Sequence, residues 1–462
     1  MLAAGAATRW LDPLAPRAAA QEAFGSTLPV GTPILVVVEL PGGNDILNTV
    51  IPMAVPEATG YYRDARPTLA VTEVTTTRPY VSPPFGNLLP PALDLDGRWA
   101  LHGALPWLAN RWHDRGDVAI VQGTGENVMR EQSHFVGSAY RWAGAFAGER
   151  METGWLGRYN DLANPGQSLG AVSTSGAHQA LVSRASPAVA IDDLHTFGFS
   201  AARVPEADRV VAGIGRFGDP LSAERGKVAT AARAIDVARR AIDAANDVPA
   251  LPTDPSAGTL ARQLEIVASL ILAGVPCQTY VSLDPGFDTH GGQPGPHLQK
   301  LDLLNEGLRR FFRAIDSSPR AADVFVVIQS EFGRQVGEAA GQGTDHGLGS
   351  DTILVGGGVQ GGWYGEAADL TPAARYADSL IPTVDFRSVY ATILNRLGGD
   401  PNLTEEALGR NEGNVAFADL GVFSGAPAAV PGTQAFGPDG ATVPAPEPEI
   451  RPELAPRLMV QV

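Results

Sequence analysis

Cysteine is almost absent: 462 residues contain one, Cys277. An internal disulfide framework is therefore excluded. The thiol lies in a largely apolar run from Val275 to Leu283, where it behaves as a small buried hydrophobe. This does not argue against export, because a chain this long buries enough core to fold without covalent staples. Basic residues are also scarce, with 34 Lys and Arg against 50 Asp and Glu and a formal charge of −16. No basic stripe overrides that average. Affinity for nucleic acid depends on neutralising phosphates, so no nucleic-acid partner is expected. No run reaches the roughly eighteen unbroken apolar residues of a spanning helix, so no integral membrane segment is expected. Internal repeats are lacking as well.

Two Gly-rich stretches fail as nucleotide motifs. GGGVQGG at 356–362 has no following Gly-Lys-Ser/Thr, so it is not a phosphate-binding P-loop. GTGEN at 123–127 lacks the third glycine of a dinucleotide fingerprint, and no acidic ribose partner is well placed.

What is present suits an α/β fold. Short, apolar, β-branched runs at Pro33–Leu40, Val118–Gln122, Cys277–Leu283, Val324–Gln329 and Thr352–Val355 read as strands covered on both faces, as in a parallel sheet. Helical patterns lie between them, at Ala104–His113, Ser133–Ala147, Leu260–Ala273, Leu298–Ile315 and Arg387–Leu397. Such alternation predicts an α/β architecture with a doubly covered sheet. Residues 1–32 read as a leader or the remnant of an export signal, Ala-rich with small residues near Ala18–Ala20 but no basic start. The main domain is expected over 33–424. A probable inserted cap lies around 160–255 and includes an Ala-rich helix at 221–248. Residues 425–462 form a Pro-rich tail expected to be extended at the surface.

In open α/β sheets ligands bind beyond the carboxyl ends of the strands, so the residues after each strand are the candidates. The first strand runs into Glu39-Leu-Pro-Gly-Gly-Asn-Asp45, which is also compatible with an ordinary Gly-Asn turn. The second leads to Ser133 and His134 at a predicted helix start. Ser133 is either a plain N-cap or a nucleophile whose anionic partner the helix start would favour. After the third comes Asp284-Pro-Gly-Phe-Asp288-Thr-His290-Gly-Gly. Asp288 and His290 are two apart and leave an extended segment on the same side, a pairing that suits a cation such as zinc. The fourth ends in Gln329-Ser330-Glu331-Phe332-Gly333-Arg334. There Glu331 is a strand-end ligand and Arg334 a fork for phosphate or sulfate, or the two form a surface pair. Gly343-Thr344-Asp345-His346-Gly347 follows, with His346 as ligand and Asp345 as a second ligand or an orienting neighbour. The set matters more than any member. Three of only eight histidines, His134, His290 and His346, fall in loops after strands beside a Ser, Thr or Asp.

The ordered series LPGGND, YYRDARPTLA, LHGAL, QSHF, TGWLGRY, DTHGG, SEFGR, GTDHG and DFRSVYATIL resembles a poorly characterised bacterial family. That family is labelled as a domain of unknown function and is often exported by the twin-arginine route. It looks like a branch of the alkaline-phosphatase and sulfatase-like superfamily, over roughly residues 33–400. The resemblance implies a three-layer α/β/α sandwich and a periplasmic or secreted location. It also implies a divalent cation (zinc, calcium, magnesium or manganese) and hydrolysis of an anionic ester, carried by a small molecule or a polymer. Carried onto this chain, the metal ligands would be Asp45, His134, Asp288, His290, Glu331, Asp345 and His346, with Ser133 as nucleophile and Arg334 on the anion. The pattern departs at Glu39, where many phosphatases place Asp, and at Phe332, where an Asp-His pair is common. Rival expectations are a non-catalytic exported metal-containing binding protein and a metal enzyme with redox chemistry.

Overall fold

The computed structural model describes residues 27–77, 88–164, 169–186, 188–192, 241, 257–424 and 459–461. The leader through residue 26, most of the expected cap with its long helix, and the tail from 425 to 458 lie outside the described residues.

The run ILVVVE at Ile34–Glu39 forms strand β1, buried along its whole length. Its neighbours explain why. Val36 and Val38 face a core built with helices Pro106–Arg115 (α2), Gly258–Ala273 (α5) and Pro294–Asp316 (α6). Leu35 and Val37 face a second core with helices Trp155–Ala163 (α4), Phe386–Gly398 (α7) and Pro401–Leu408 (α8). Alternate side chains thus enter opposite layers, and each fully buried Val or Leu is worth about 1.5–3 kcal/mol. In the second core Trp155 and Tyr390 stack at 4.0 Å between ring centroids. The two remaining helices are Thr59–Ala65 (α1) and His134–Ala143 (α3).

The main sheet also contains Val118–Gly125 (β2), Ala171–Ser173 (β3), Ala188–Ala190 (β4), Thr279–Leu283 (β5), Val324–Gln329 (β6), Ser350–Gly356 (β7), Gly362–Gly365 (β8), Val384–Asp385 (β9) and Met459–Gln461 (β10). Its order is β8-β2-β7-β6-β1-β5-β3-β4-β10, with β9 also on β2. Pairing is parallel throughout except at β7, which is antiparallel to both β6 and β2. The sequence expectation of a parallel strand at 352–355 is corrected there. The consequence is local: β7 begins, rather than ends, at the edge where β1, β5 and β6 finish, so the GTDHG loop reaches that edge too. At the end of the tail, Met459–Gln461 pairs with β4. A small sheet of Val50–Pro52, Trp99–Leu101, Ala92–Asp94 and Val74–Thr75 lies beside the main one.

Candidate metal centre

Three loops meet at the carboxyl edge of the sheet, the one between β6 and β7 contributing twice. The loop after β5 carries Asp288 and His290, and the loop after β6 carries Glu331 and, before β7, Asp345 and His346. The loop after β2 ends at His134, the first residue of α3. The backbones approach closely. A Cβ at Gly42 would stand 2.3 Å from the Asp288 amide nitrogen, and one at Gly343 would stand 2.2 Å from the His290 carbonyl carbon. Gly42 also has φ +118°, so glycine is required there twice over.

The side chains converge. His134, Asp288 and His346 each place a ligand atom within 4.8 Å of the others. Asp288 Oδ1 lies 3.1 Å from His346 Nε2 and 3.0 Å from His290 Nε2. His290 Nε2 and His346 Nε2 are 2.9 Å apart. His134 Nε2 is 3.4 Å from Asp288 Oδ2 and makes no hydrogen bond.

The far side of each ring decides its tautomer. His346 Nδ1 faces the Gln132 carbonyl oxygen at 2.7 Å, an atom that can only accept. His134 Nδ1 meets Glu331 Oε1 at 2.8 Å and His290 Nδ1 meets Asp345 Oδ1 at 2.8 Å. Each Nδ1 therefore carries hydrogen, and a ring with that single proton turns its Nε2 lone pair inward. Three lone pairs and a carboxylate facing one another repel unless a positive charge, a proton or a metal cation, sits among them. Burial pushes the Asp288 carboxyl upward, but the Arg334 guanidinium together with His346 and His290 outweighs it and holds the group at about 2. The carboxylate is thus charged at any ordinary pH. Imidazoles oriented by carboxylates and a carbonyl, with a carboxylate beside them, form the donor set of a transition-metal or zinc site.

Glu331 and Asp345 bond the outer nitrogens of His134 and His290 and do not face the ring of Nε2 atoms. Glu331 Oε1 also accepts from Gly42 N at 2.8 Å, and Ser330 Oγ donates to its Oε2 at 2.9 Å. Asp45 is not part of the group. It forms a two-pronged buried pair with Arg66, at 2.7 and 3.0 Å, and accepts from Gln293. Arg334 is not available to fork an anion. It is fully buried, donating to Gly43 O, Thr344 O, Gly42 O, Phe287 O and Asp288 Oδ1. It clips three loops together instead. Ser133 is the N-cap of α3, yet its side chain makes no capping bond. Just before the helix start, Glu131 Oε1 accepts from Gln132 N and Ser133 N at 3.0 and 2.6 Å, which places a carboxylate there.

Sequence reasoning missed Arg66, although it lies within the YYRDARPTLA stretch. It also missed Gln132, whose contribution is a backbone carbonyl that no side-chain pattern reveals. Glu39 and His178 form a further buried contact at 3.3 Å, and Trp142 Nε1 donates to Glu39 at 2.6 Å. His178 had no distinguishing context in the chain, and its partner is 139 residues away.

Residues 232–419 match the family described as protein of unknown function (DUF1501). The match takes in Asp288, His290, Glu331, Arg334, Asp345 and His346, while Asp45, Ser133 and His134 precede it. The likeness to that family covers less than half of the chain. No curated protein matches the chain significantly. Among the described residues no helix is long and apolar enough to cross a membrane.

Proposed function

We propose that this protein is an exported, metal-dependent hydrolase of phosphate or sulfate esters. His134, Asp288, His290 and His346 would hold a divalent cation. The supporting observation is the gathering of three Nε2 atoms against the Asp288 carboxylate, each imidazole held from behind through Nδ1. A cation held there supplies Lewis acidity toward an ester oxygen and lowers the pKa of water. The chain's own residues do the rest. Glu331 and Asp345 keep their rings in the ligand tautomer, and Arg334 holds the Asp288 loop in place. The Ser133 hydroxyl, which makes no capping bond, would be the attacking group. The reading as a relative of alkaline phosphatases and sulfatases draws support from the two-sided helix cover, the lone antiparallel strand and a site at the strand ends.

Metal analysis of freshly purified protein, followed by a panel of phosphate and sulfate esters, tests this. Zinc, calcium, magnesium or manganese near one equivalent and turnover of at least one ester class are expected. Protein fully loaded with metal that hydrolyses neither class would refute the hydrolase. The nitrogen-rich donor set also suits iron or copper, and finding either in the native protein would favour the redox alternative.

A further inference from the structure

An ester hydrolase needs a cation on the anionic end of its substrate, and Arg334 is committed to carbonyls. The loop from Glu126 to Ser133, which ends at the His134 ligand, carries another. Arg130 has φ +51°, a region that non-glycine side chains rarely enter and that tends to persist where a function demands it. The loop is built to hold that conformation. Glu126 accepts from the amides of Val128, Met129 and Glu131 at 3.0, 2.7 and 2.6 Å. Gln132 ties the loop to the hairpin at 375–380 through Ser379 Oγ at 3.1 Å, while its carbonyl orients His346. The Arg130 side chain is aimed twice: Nε donates to Asn127 Oδ1 at 3.0 Å, and the guanidinium lies 4.3 Å over the Tyr376 ring. Among the described residues no carboxylate pairs with it, and its Nη1 and Nη2 hydrogens have no acceptor. Such a fork is strained in its backbone, braced on an aromatic face and unpaired. It lies four residues from a metal ligand.

We propose that Arg130 is the clamp for the substrate's phosphoryl or sulfuryl oxygens, its two Nη groups donating a parallel pair of bonds. This rests on the hydrolase reading above. Tyr376 and Asn127 are its positioning residues, since they brace the guanidinium from its ring face and its Nε.

The test is calorimetric titration of metal-loaded full-length protein with inorganic phosphate and phenyl phosphate. Arg130→Met is expected to weaken both by about 10- to 100-fold, the worth of one or two charge-assisted bonds, with metal affinity unchanged. Arg130→Lys recovers part of the loss, because a point charge replaces the fork. Arg130→Gly guards against misfolding, since glycine adopts the positive φ freely. It is expected to melt no lower than the parent and to bind phosphate as poorly as Arg130→Met. Phosphate affinity unchanged in Arg130→Met or Arg130→Gly overturns the clamp and leaves the hydrolase reading standing. Metal-loaded parent protein that binds neither anion overturns both.

Discussion

Replacing Arg66 by methionine is the sharpest test of the structural reading of the LPGGND loop. The Arg66 and Asp45 side chains are 0 % and 1 % exposed. Arg66 also donates to Asn48 Oδ1 and to the carbonyls of Val336 and Gln335. Methionine would leave a buried carboxylate with Gln293 as its chief partner and the carbonyls of Val336 and Gln335 without their donor, while Asn48 Oδ1 keeps the Tyr62 hydroxyl. Breaking a buried pair from one side costs about 3–5 kcal/mol. With roughly 2.1 cal/mol/K of unfolding entropy per residue, a chain of 462 residues has about 1 kcal/mol/K in total, so the melting midpoint falls by about 4 °C. Asp45→Leu combined with Arg66→Met should cost less than Arg66→Met alone, because no charge is then stranded. The pH dependence follows with a definite sign. Burial raises the Asp45 carboxyl, but the Arg66 charge outweighs it, so the folded value lies below the ordinary 3.8. The pair therefore contributes stability above that pH and loses it as pH falls through the folded value. Arg66→Met removes that acid limb. Thermal unfolding at pH 7 and chemical denaturation from pH 5 to 3 read both effects. A cost below about 1 kcal/mol, or a double variant as unstable as the single one, would show that the pair is not what holds this loop.

Two further outcomes follow from the same geometry. Glu331→Gln and Asp345→Asn remove the carboxylates that fix the His134 and His290 tautomers, and each is expected to weaken metal binding by about 10- to 100-fold; unaltered affinity in a metal titration would remove them from the centre. His102 and His297 are buried, with ring centroids 5.9 Å apart, and burial holds them at about 3 and about 4 against an ordinary 6.5. Both are neutral when folded and take up protons on unfolding below pH 6.5. Stability should therefore fall between pH 6.5 and 4 by up to about 1.4 kcal/mol per pH unit for each ring. Urea titrations of the parent and of His102→Gln measure this, and identical slopes for the two would count against it.

Much of the framework was legible in the chain. Runs such as VFVVIQ at 324–329 have a single physical reading, because a stretch that apolar must be buried on both faces. The amphipathic spacing from Leu298 to Ile315 likewise had one solution. The elements that escaped were short or mild in composition. AVS at 171–173 and AVA at 188–190 become strands only because β5 offers a partner edge, so their structure is a property of pairing rather than of local preference. The direction of β7 was hidden for a similar reason, since an apolar run does not record which way it travels.

The candidate site divides along the same line. Residue type and loop position identify which side chains can reach the strand ends, and His134, Asp288, His290 and His346 do meet there. They do not say which atom of a carboxylate faces which atom of a ring. Asp45, Glu331 and Asp345 were equivalent as acids in loops, yet each answers to a different partner: a guanidinium from α1's end, and the outer nitrogens of two imidazoles. The partner sets the role through charge. An acid beside an arginine that has no other counter-ion is neutralised and becomes part of the frame. An acid behind an imidazole fixes a proton on the far nitrogen and sharpens the near one as a ligand. Asp288 stands between these cases, holding Arg334 with Oδ1 while the three Nε2 atoms crowd its carboxylate. Arg334 binds that same Oδ1 in the frame, so a cation entering the cluster must share Asp288 with the guanidinium or take its other oxygen, Oδ2, which faces His134.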